Sequence, residues 1–171
     1  NKKITIDKMP LNLVHVGEIL RFFPNAKFIL ALRHPYDCVL SCFMQNFMLN
    51  HAMANFLNLD DTLKLYDLTM SLWKRYTNVF TIDHHLIRYE DVVSNFKKTI
   101  GDLLKFLNVK WSDNVIEFYK TAEKRGIINT PSYNQVSQPI YSNSMYRWKN
   151  YEKEFAKSNI SLENWVKEFN Y

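Results

Sequence analysis

The sequence predicts an α/β fold with a parallel sheet flanked by helices. Three observations lead there. The run Phe28-Ile29-Leu30-Ala31-Leu32 is continuously apolar rather than alternating, the pattern of a strand covered on both faces. Short apolar runs alternate with longer helical patterns along the chain, as parallel βαβ units require. The segment "DDTLKLYDLTMSLWKRYTNVF" (60–80) is amphipathic at helical spacing and long enough to cover a sheet.

Taken in order, "KKITIDKMP" reads as a short strand ending near Asp7–Lys8, and Pro10 opens a helix through Phe22. Pro24 and Asn25 then turn the chain into a strand over 27–32. Pro35 suits the first position of the next helix, where its missing N–H would have no partner, and Asp37 places an acid in the first turn, where the helix dipole favours it. This helix is expected to run to about Asn50. The long helix carries Leu65, Leu68, Leu72, Tyr76 and Val79 as its apolar stripe; two acids open it and Lys74-Arg75 stand near its end. "HHLIRYEDVV" gives a third strand ending near Tyr89, followed by a helix that turns Val93, Phe96, Ile100, Leu103 and Leu107 inward. Residues 112–124 read as helix, with Gly126 as its end. From Thr130 to Ser144 the polar sequence "TPSYNQVSQPIYSNS" has two prolines and no period, so it reads as a long functional loop; Tyr133, Val136, Ile140 and Tyr141 give it something to pack with. Short helices over 145–157 and 161–170 complete the chain.

The chain has 171 residues, which fits a single domain over 1–171 with room for a sizeable core, and 47% of its residues are hydrophobic. No apolar run approaches the ~20 residues of a membrane span and no signal peptide is visible, so no membrane partner and a cytoplasmic location are expected. Asn1 is not a natural start, which points to a fragment or a processed chain. Cys38 and Cys42 are the only cysteines and share one helix; with no suitably spaced histidine they do not make a zinc site, and no metal is expected. They read as two small buried residues of a reducing compartment. The net charge of +5 is scattered, which suits an anionic ligand and equally suits solvated lysines with no ligand. A nucleic-acid interface is disfavoured, because the aromatics fall at core spacing and are not interleaved with a basic stripe.

The three strands end in Lys8, Arg33 and Tyr89. Strand ends reach the surface and polar residues belong there, yet all three fall on the carboxyl edge where open α/β sheets bind ligands. Arg33 offers a planar fork for a phosphate, and Ser41 a hydroxyl from the adjoining helix. Lys8 is a compact charge on a flexible stem, suited to stabilising charge that moves during a transfer reaction. Arg147, beside Trp148, is a further anion contact or a helix-surface arginine.

The stretch "DKMPLNLVHVGEILRFFPNAKFILALRHPYDCVLSCF", then "IRYEDVV", "FLNVKW" and "QVSQPIYSNSMYRWKNYE", resembles the sulfotransferase family in order from about Thr5 to Glu152. It is most similar to the tyrosylprotein sulfotransferases and to bacterial sulfotransferases that follow tetratricopeptide repeats. The resemblance implies a P-loop NTPase-like sulfotransferase fold. It also implies transfer of a sulfuryl group from 3′-phosphoadenosine-5′-phosphosulfate, without metal, to an acceptor hydroxyl on a protein tyrosine, a glycan or a small molecule. Residue by residue, it places the 3′-phosphate contacts on Arg33 and Ser41, the catalytic lysine on Lys8, and the tyrosine near adenine and ribose on Tyr89. It places the nucleotide-covering loop on Ser132 to Tyr141, with Ser132, Tyr133 and Gln135 as contacts, and the basic residue before the tryptophan on Arg147. Gln45 stands where tyrosylprotein relatives have a further arginine, which implies a weaker phosphate pocket.

The family's first strand and glycine-rich phosphate loop have no counterpart here. Gly17, Gly101 and Gly126 are far apart and none follows a strand in the right context. The general base, a glutamate soon after that loop in relatives, is expected upstream of residue 1. Asp7 is a poor substitute because neighbours on a strand point to opposite faces, and His15 reads as a packing residue. The chain thus reads as the carboxyl-terminal two-thirds of the domain, carrying the 3′-phosphate half of the donor site and inactive alone. The alternative is a non-catalytic nucleotide- or anion-binding module derived from the same fold. The strand bearing the loop would lie inside the sheet, flanked on both sides, so its loss is expected to leave two strands facing a gap. A separate polypeptide holding the upstream segment, a swapped copy of the chain, or further residues of the protein are expected to fill it.

Overall fold

The computed structural model describes residues 4–119, 140 and 142–171. Its centre is a parallel pair of strands, β1 (Phe28–Leu32) and β2 (His84–Arg88), in the register Phe28↔His84 through Leu32↔Arg88. Between them the chain makes a crossover through α2 (Pro35–Phe43) and α3 (Leu59–Val79), the connection that a parallel pair needs. Before β1 a 3-10 turn, Asn12–His15, runs into α1 (Val16–Phe22). After β2 come α4 (Tyr89–Ser94) and α5 (Phe96–Phe106). A 3-10 turn at Arg147–Tyr151 leads into α6 (Glu152–Phe155), and α7 (Glu163–Glu168) follows.

The core joins Leu30 and Leu32 of β1 to Val39 and Leu40 of α2, Leu63, Tyr66 and Trp73 of α3, and Leu162, Trp165 and Phe169 around α7. One sheet face is covered by α3, where Trp73 meets the ring of His84 at 5.3 Å. On the other face α5 covers the β2 side, where His85 stacks on Phe106 at 5.4 Å. Gly17 lets α1 approach α3 closely. A Cβ built there would stand 3.0 Å from Cε1 of Tyr76, whose hydroxyl donates to the Val14 carbonyl at 3.0 Å.

Several expectations are corrected. The strand expected over 4–8 does not form: no residue from 4 to 9 belongs to a strand, Ile4, Ile6 and Met9 are exposed, and the sheet contains β1 and β2 alone among the described residues. A strand needs a hydrogen-bonded neighbour, and none stands beside this segment. The continuous apolar run of β1 is not covered on both faces either; Ile29 is 40% exposed and Ala31 is also exposed. On α3 the buried stripe is Thr62, Leu63, Tyr66, Thr69 and Trp73, while Leu68 and Val79 are 56% and 67% exposed. The threonines tolerate burial because each hydroxyl donates to carbonyls: Thr62 to Asn55 and Asn58, Thr69 to Leu65 and Tyr66.

Helix α2 stops at Phe43 rather than Asn50, as the chain folds back to bring Phe47 against Phe56 at 5.2 Å between ring centroids. The Asn58 side chain caps α3 by accepting from Asp60 and Asp61 N–H. The helix after β2 is broken at Asn95, whose backbone leaves helical geometry and whose side chain accepts from Lys98 N–H to start α5. Of the helix expected over 112–124, residues 113–115 form a 3-10 turn and residues 118–119 are helical, while residues 120–126 lie outside the described residues.

Candidate functional site

Because Leu32 and Arg88 are register partners, the next residues, Arg33 and Tyr89, leave the sheet at the same carboxyl edge. Their side chains meet, the Arg33 guanidinium carbon lying 5.6 Å from the Tyr89 ring centroid. Of the three residues expected at one sheet edge, Arg33 and Tyr89 stand there together. Ser41 is exposed in the second turn of α2, four residues beyond Asp37, so the two share one stripe of the helix.

Two buried carboxylates fix the loop between β1 and α2. Glu90, in the first turn of α4, accepts the His34 backbone N–H through Oε1 at 3.0 Å and the Tyr171 hydroxyl through Oε2 at 3.0 Å. Asp37, in the first turn of α2, is fully buried and accepts the backbone N–H groups of Tyr146 at 2.5 Å and Trp148 at 2.8 Å. These bonds bring in a segment distant in sequence, with Arg147 between its two anchored residues. Tyr146 adopts left-handed backbone geometry, φ 55° and ψ 26°, which costs a non-glycine residue about 1–2 kcal/mol. The two charge-assisted bonds to Asp37 offset that cost.

Arg33 joins the same network. Its Nη2 donates to the Ser144 carbonyl and stands 3.9 Å from Oδ1 of Asp37. Beside it the buried ring of His34 lies in an aromatic cage: stacked on Trp148 at 5.1 Å, with Tyr171 at 5.2 Å, Tyr146 at 5.6 Å and Tyr36 at 6.0 Å. Burial lowers the His34 pKa, outweighing the opposing pull of Asp37 and Glu90. Three buried nitrogens here, Arg33 Nε, His34 Nδ1 and Trp148 Nε1, have no hydrogen-bond partner among the described residues. One turn along α2, Cys38 and Cys42 are free thiols, and their mutual interaction raises the pKa of Cys38 and lowers that of Cys42.

The remaining predicted site residues separate into three groups. Arg147 is exposed and stands in the anchored segment. Lys8 is exposed in the irregular segment before α1, at no strand end, so it does not share a sheet edge with Arg33 and Tyr89. Ser132, Tyr133 and Gln135 lie outside the described residues. No group of three or more histidine, cysteine, aspartate or glutamate side chains able to hold a metal occurs among the described residues. No helix among them is long and apolar enough to cross a membrane. A cavity of about 260 Å³ lies nearby, lined by Leu32, Leu86, Arg88 and Phe169 among others, but none of the predicted site residues borders it.

Sequence reasoning missed the structural roles of Asp37 and Glu90. Asp37 was visible only as a helix-dipole acid; its place midway between Arg33 and Ser41 was the available signal. Glu90, a first-turn acid directly after a strand, offered the same kind of signal.

The profile described as "Sulfotransferase family" matches residues 1–113. An uncharacterized protein of Aquifex aeolicus is 32% identical over 152 residues, covering 86% of this chain and 19% of that protein. Protein-tyrosine sulfotransferase 1 of Danio rerio is 28% identical over 153 residues, covering 83% of this chain and 41% of the relative. Protein-tyrosine sulfotransferase 2 of Gallus gallus is 24% identical over 154 residues, with 83% and 39% covered. The chain therefore spans about two fifths of the two vertebrate relatives and 19% of the bacterial protein.

Proposed function

The chain belongs to the sulfotransferase family, and we propose that its strand-end cluster is the 3′-phosphate half of a site for 3′-phosphoadenosine-5′-phosphosulfate. One observation carries the proposal: Arg33, Tyr89 and the anchored segment bearing Arg147 gather at one carboxyl edge of a parallel sheet. In this reading the Arg33 fork and the Ser41 hydroxyl hold the 3′-phosphate, Tyr89 lies by the adenine and ribose, and Arg147 adds a second cation. Ser132, Tyr133 and Gln135 belong to the segment that covers the nucleotide. Lys8 stabilises charge on the oxygen bridging phosphate and sulfur. The acceptor oxygen attacks sulfur in line, the bond from sulfur to that bridging oxygen breaks, 3′-phosphoadenosine 5′-phosphate leaves, and the acceptor proton passes to a general base. The names of the vertebrate relatives make a protein tyrosine the first acceptor to test.

The phosphate loop is proposed to come from a further strand on the open side of β1, belonging to an upstream segment or another copy of the chain. Support comes from β1 having a strand partner on one side only among the described residues, and from the exposure of Ile29. Lys8, exposed and outside the sheet, favours a second reading: nucleotide binding without turnover.

Calorimetry tests the site. Arg33→Ala is expected to weaken 3′-phosphoadenosine 5′-phosphate by about 1.5–3 kcal/mol, the range for hydrogen bonds to charged groups. Adenosine 5′-monophosphate should bind nearly as before. Equal losses for both nucleotides would contradict the assignment.

A further inference from the structure

Arg33 and Ser41 bracket an acid. Asp37 stands four residues after one and four before the other. A carboxylate between two groups meant for a phosphate would repel the ligand if its charge faced the site. Here it does not: Asp37 is 0% exposed, and its oxygens are taken by the N–H groups of Tyr146 and Trp148, with the Arg33 guanidinium at 3.9 Å. The same guanidinium donates to the Ser144 carbonyl, so Arg33 is tied to this returning segment directly at Ser144 and, through Asp37, at Tyr146 and Trp148. The chain on either side of Arg147 is therefore held by the acid that faces Arg33.

We infer that Asp37 is a positioning residue of the donor site, orienting the Arg33 guanidinium and holding the 144–148 segment against it without touching the nucleotide. The inference rests on the 3′-phosphate reading of Arg33 proposed above. Its negative charge is neutralised inside the protein, so it orders the two cations without opposing the anion they bind. A residue acting in this way is coupled to Arg33, and its loss shows as lost discrimination between nucleotides with and without a 3′-phosphate.

The experiment uses the full-length protein and its Asp37→Asn, Arg33→Ala and double variants, titrated with 3′-phosphoadenosine 5′-phosphate and with adenosine 5′-monophosphate. Asparagine keeps the shape but offers one acceptor oxygen where the carboxylate offers two. Affinity for the 3′-phosphorylated nucleotide should fall about tenfold, as for loss of one hydrogen bond to a charged group, and affinity for the monophosphate less than about twofold. The double variant should lose little beyond Arg33→Ala alone, because Asp37 acts largely through Arg33. A folded Asp37→Asn protein with unchanged discrimination, or fully additive losses in the double variant, overturns the inference. If Asp37→Asn does not fold, hydrogen exchange on the wild type decides. The Tyr146 and Trp148 amides should slow on adding the 3′-phosphorylated nucleotide and not the monophosphate; equal protection by both overturns the role. If Arg33→Ala leaves discrimination between the two nucleotides unchanged, the donor-site reading falls with it; if Arg33→Ala loses discrimination and Asp37→Asn keeps it, only the role of Asp37 is lost.

Discussion

Replacing Glu90 tests whether a buried carboxylate holds the loop that presents Arg33. Glu90 is 7% exposed and receives two donors, the His34 N–H and the Tyr171 hydroxyl, each at 3.0 Å. Glu90→Ala strips both partners. At about 1.5–3 kcal/mol for each hydrogen bond to a charged group, the expected loss is about 3–6 kcal/mol, large against a domain stability of about 5–15 kcal/mol. Glu90→Gln behaves differently. Its amide oxygen still accepts from His34, whose N–H only donates, while its NH2 group faces the Tyr171 hydroxyl, which accepts as well as donates. The expected cost is about 1 kcal/mol. Tyr171→Phe leaves Oε2 unpaired and should cost about 1–3 kcal/mol in the wild type, but much less in a Glu90→Ala background, where the bond is already gone. Urea denaturation of the four proteins of this cycle, and of Glu90→Gln, measures every quantity, provided the slopes stay constant. Glutamine as costly as alanine, or strictly additive effects of Glu90→Ala and Tyr171→Phe, would refute the reasoning.

Two further perturbations probe the packing around the site. His34 has an ordinary pKa of 6.5, lowered in the fold by burial against the pull of Asp37, Glu90 and Glu163, with Lys149 adding to the lowering. Its contribution to stability is therefore full above 6.5 and is lost as pH falls from there through the folded value, because the unfolded chain takes up a proton first. His34→Phe should flatten that part of the stability profile, and a difference from wild type that stays constant between about pH 7.5 and 5 would contradict the claim. At the α1–α3 contact, Gly17→Ala drives a methyl toward the Tyr76 ring and should destabilise in the wild type, where overpacking of about 1–3 kcal/mol exceeds the helix-propensity gain of about 0.8–1 kcal/mol. In a Tyr76→Ala background the same substitution should stabilise; thermal melts showing the same sign in both backgrounds would exclude the clash.

The parts of the fold that the sequence revealed are those set by local chemistry. The strand expected at 27–32 matches β1 closely, because Pro24 and Asn25 close one end of the apolar run and Arg33 to Pro35 the other. Helix α3 was legible from its period and its opening acids. Its buried face was not, because counting leucines ignores threonines that satisfy their own hydroxyls on nearby carbonyls. The segment at 4–8 has a strand-like composition but no neighbour to pair with, and pairing is not a property of a single segment. The end of α2 at Phe43 is likewise a tertiary outcome, tied to the packing of Phe47 on Phe56.

At the site, Arg33 and Tyr89 were legible because a parallel pair puts its carboxyl ends on one edge whatever the intervening chain does. Asp37 and Glu90 were hidden for a related reason. Both are acids in the first turn of a helix that follows a strand, where the helix dipole alone already explains them. That same place stands at the mouth of the sheet, within reach of whatever chain returns there. Which explanation applies depends on donors from elsewhere, and here these come from 109 and 111 residues away for Asp37 and from 56 and 81 residues away for Glu90. A dipole acid would remain hydrated, whereas these two are buried and bonded to distant groups. In a fold of this type a first-turn acid after a strand is therefore a candidate clasp for the carboxyl edge of the sheet. Its burial and its distant donors distinguish that role from helix capping alone.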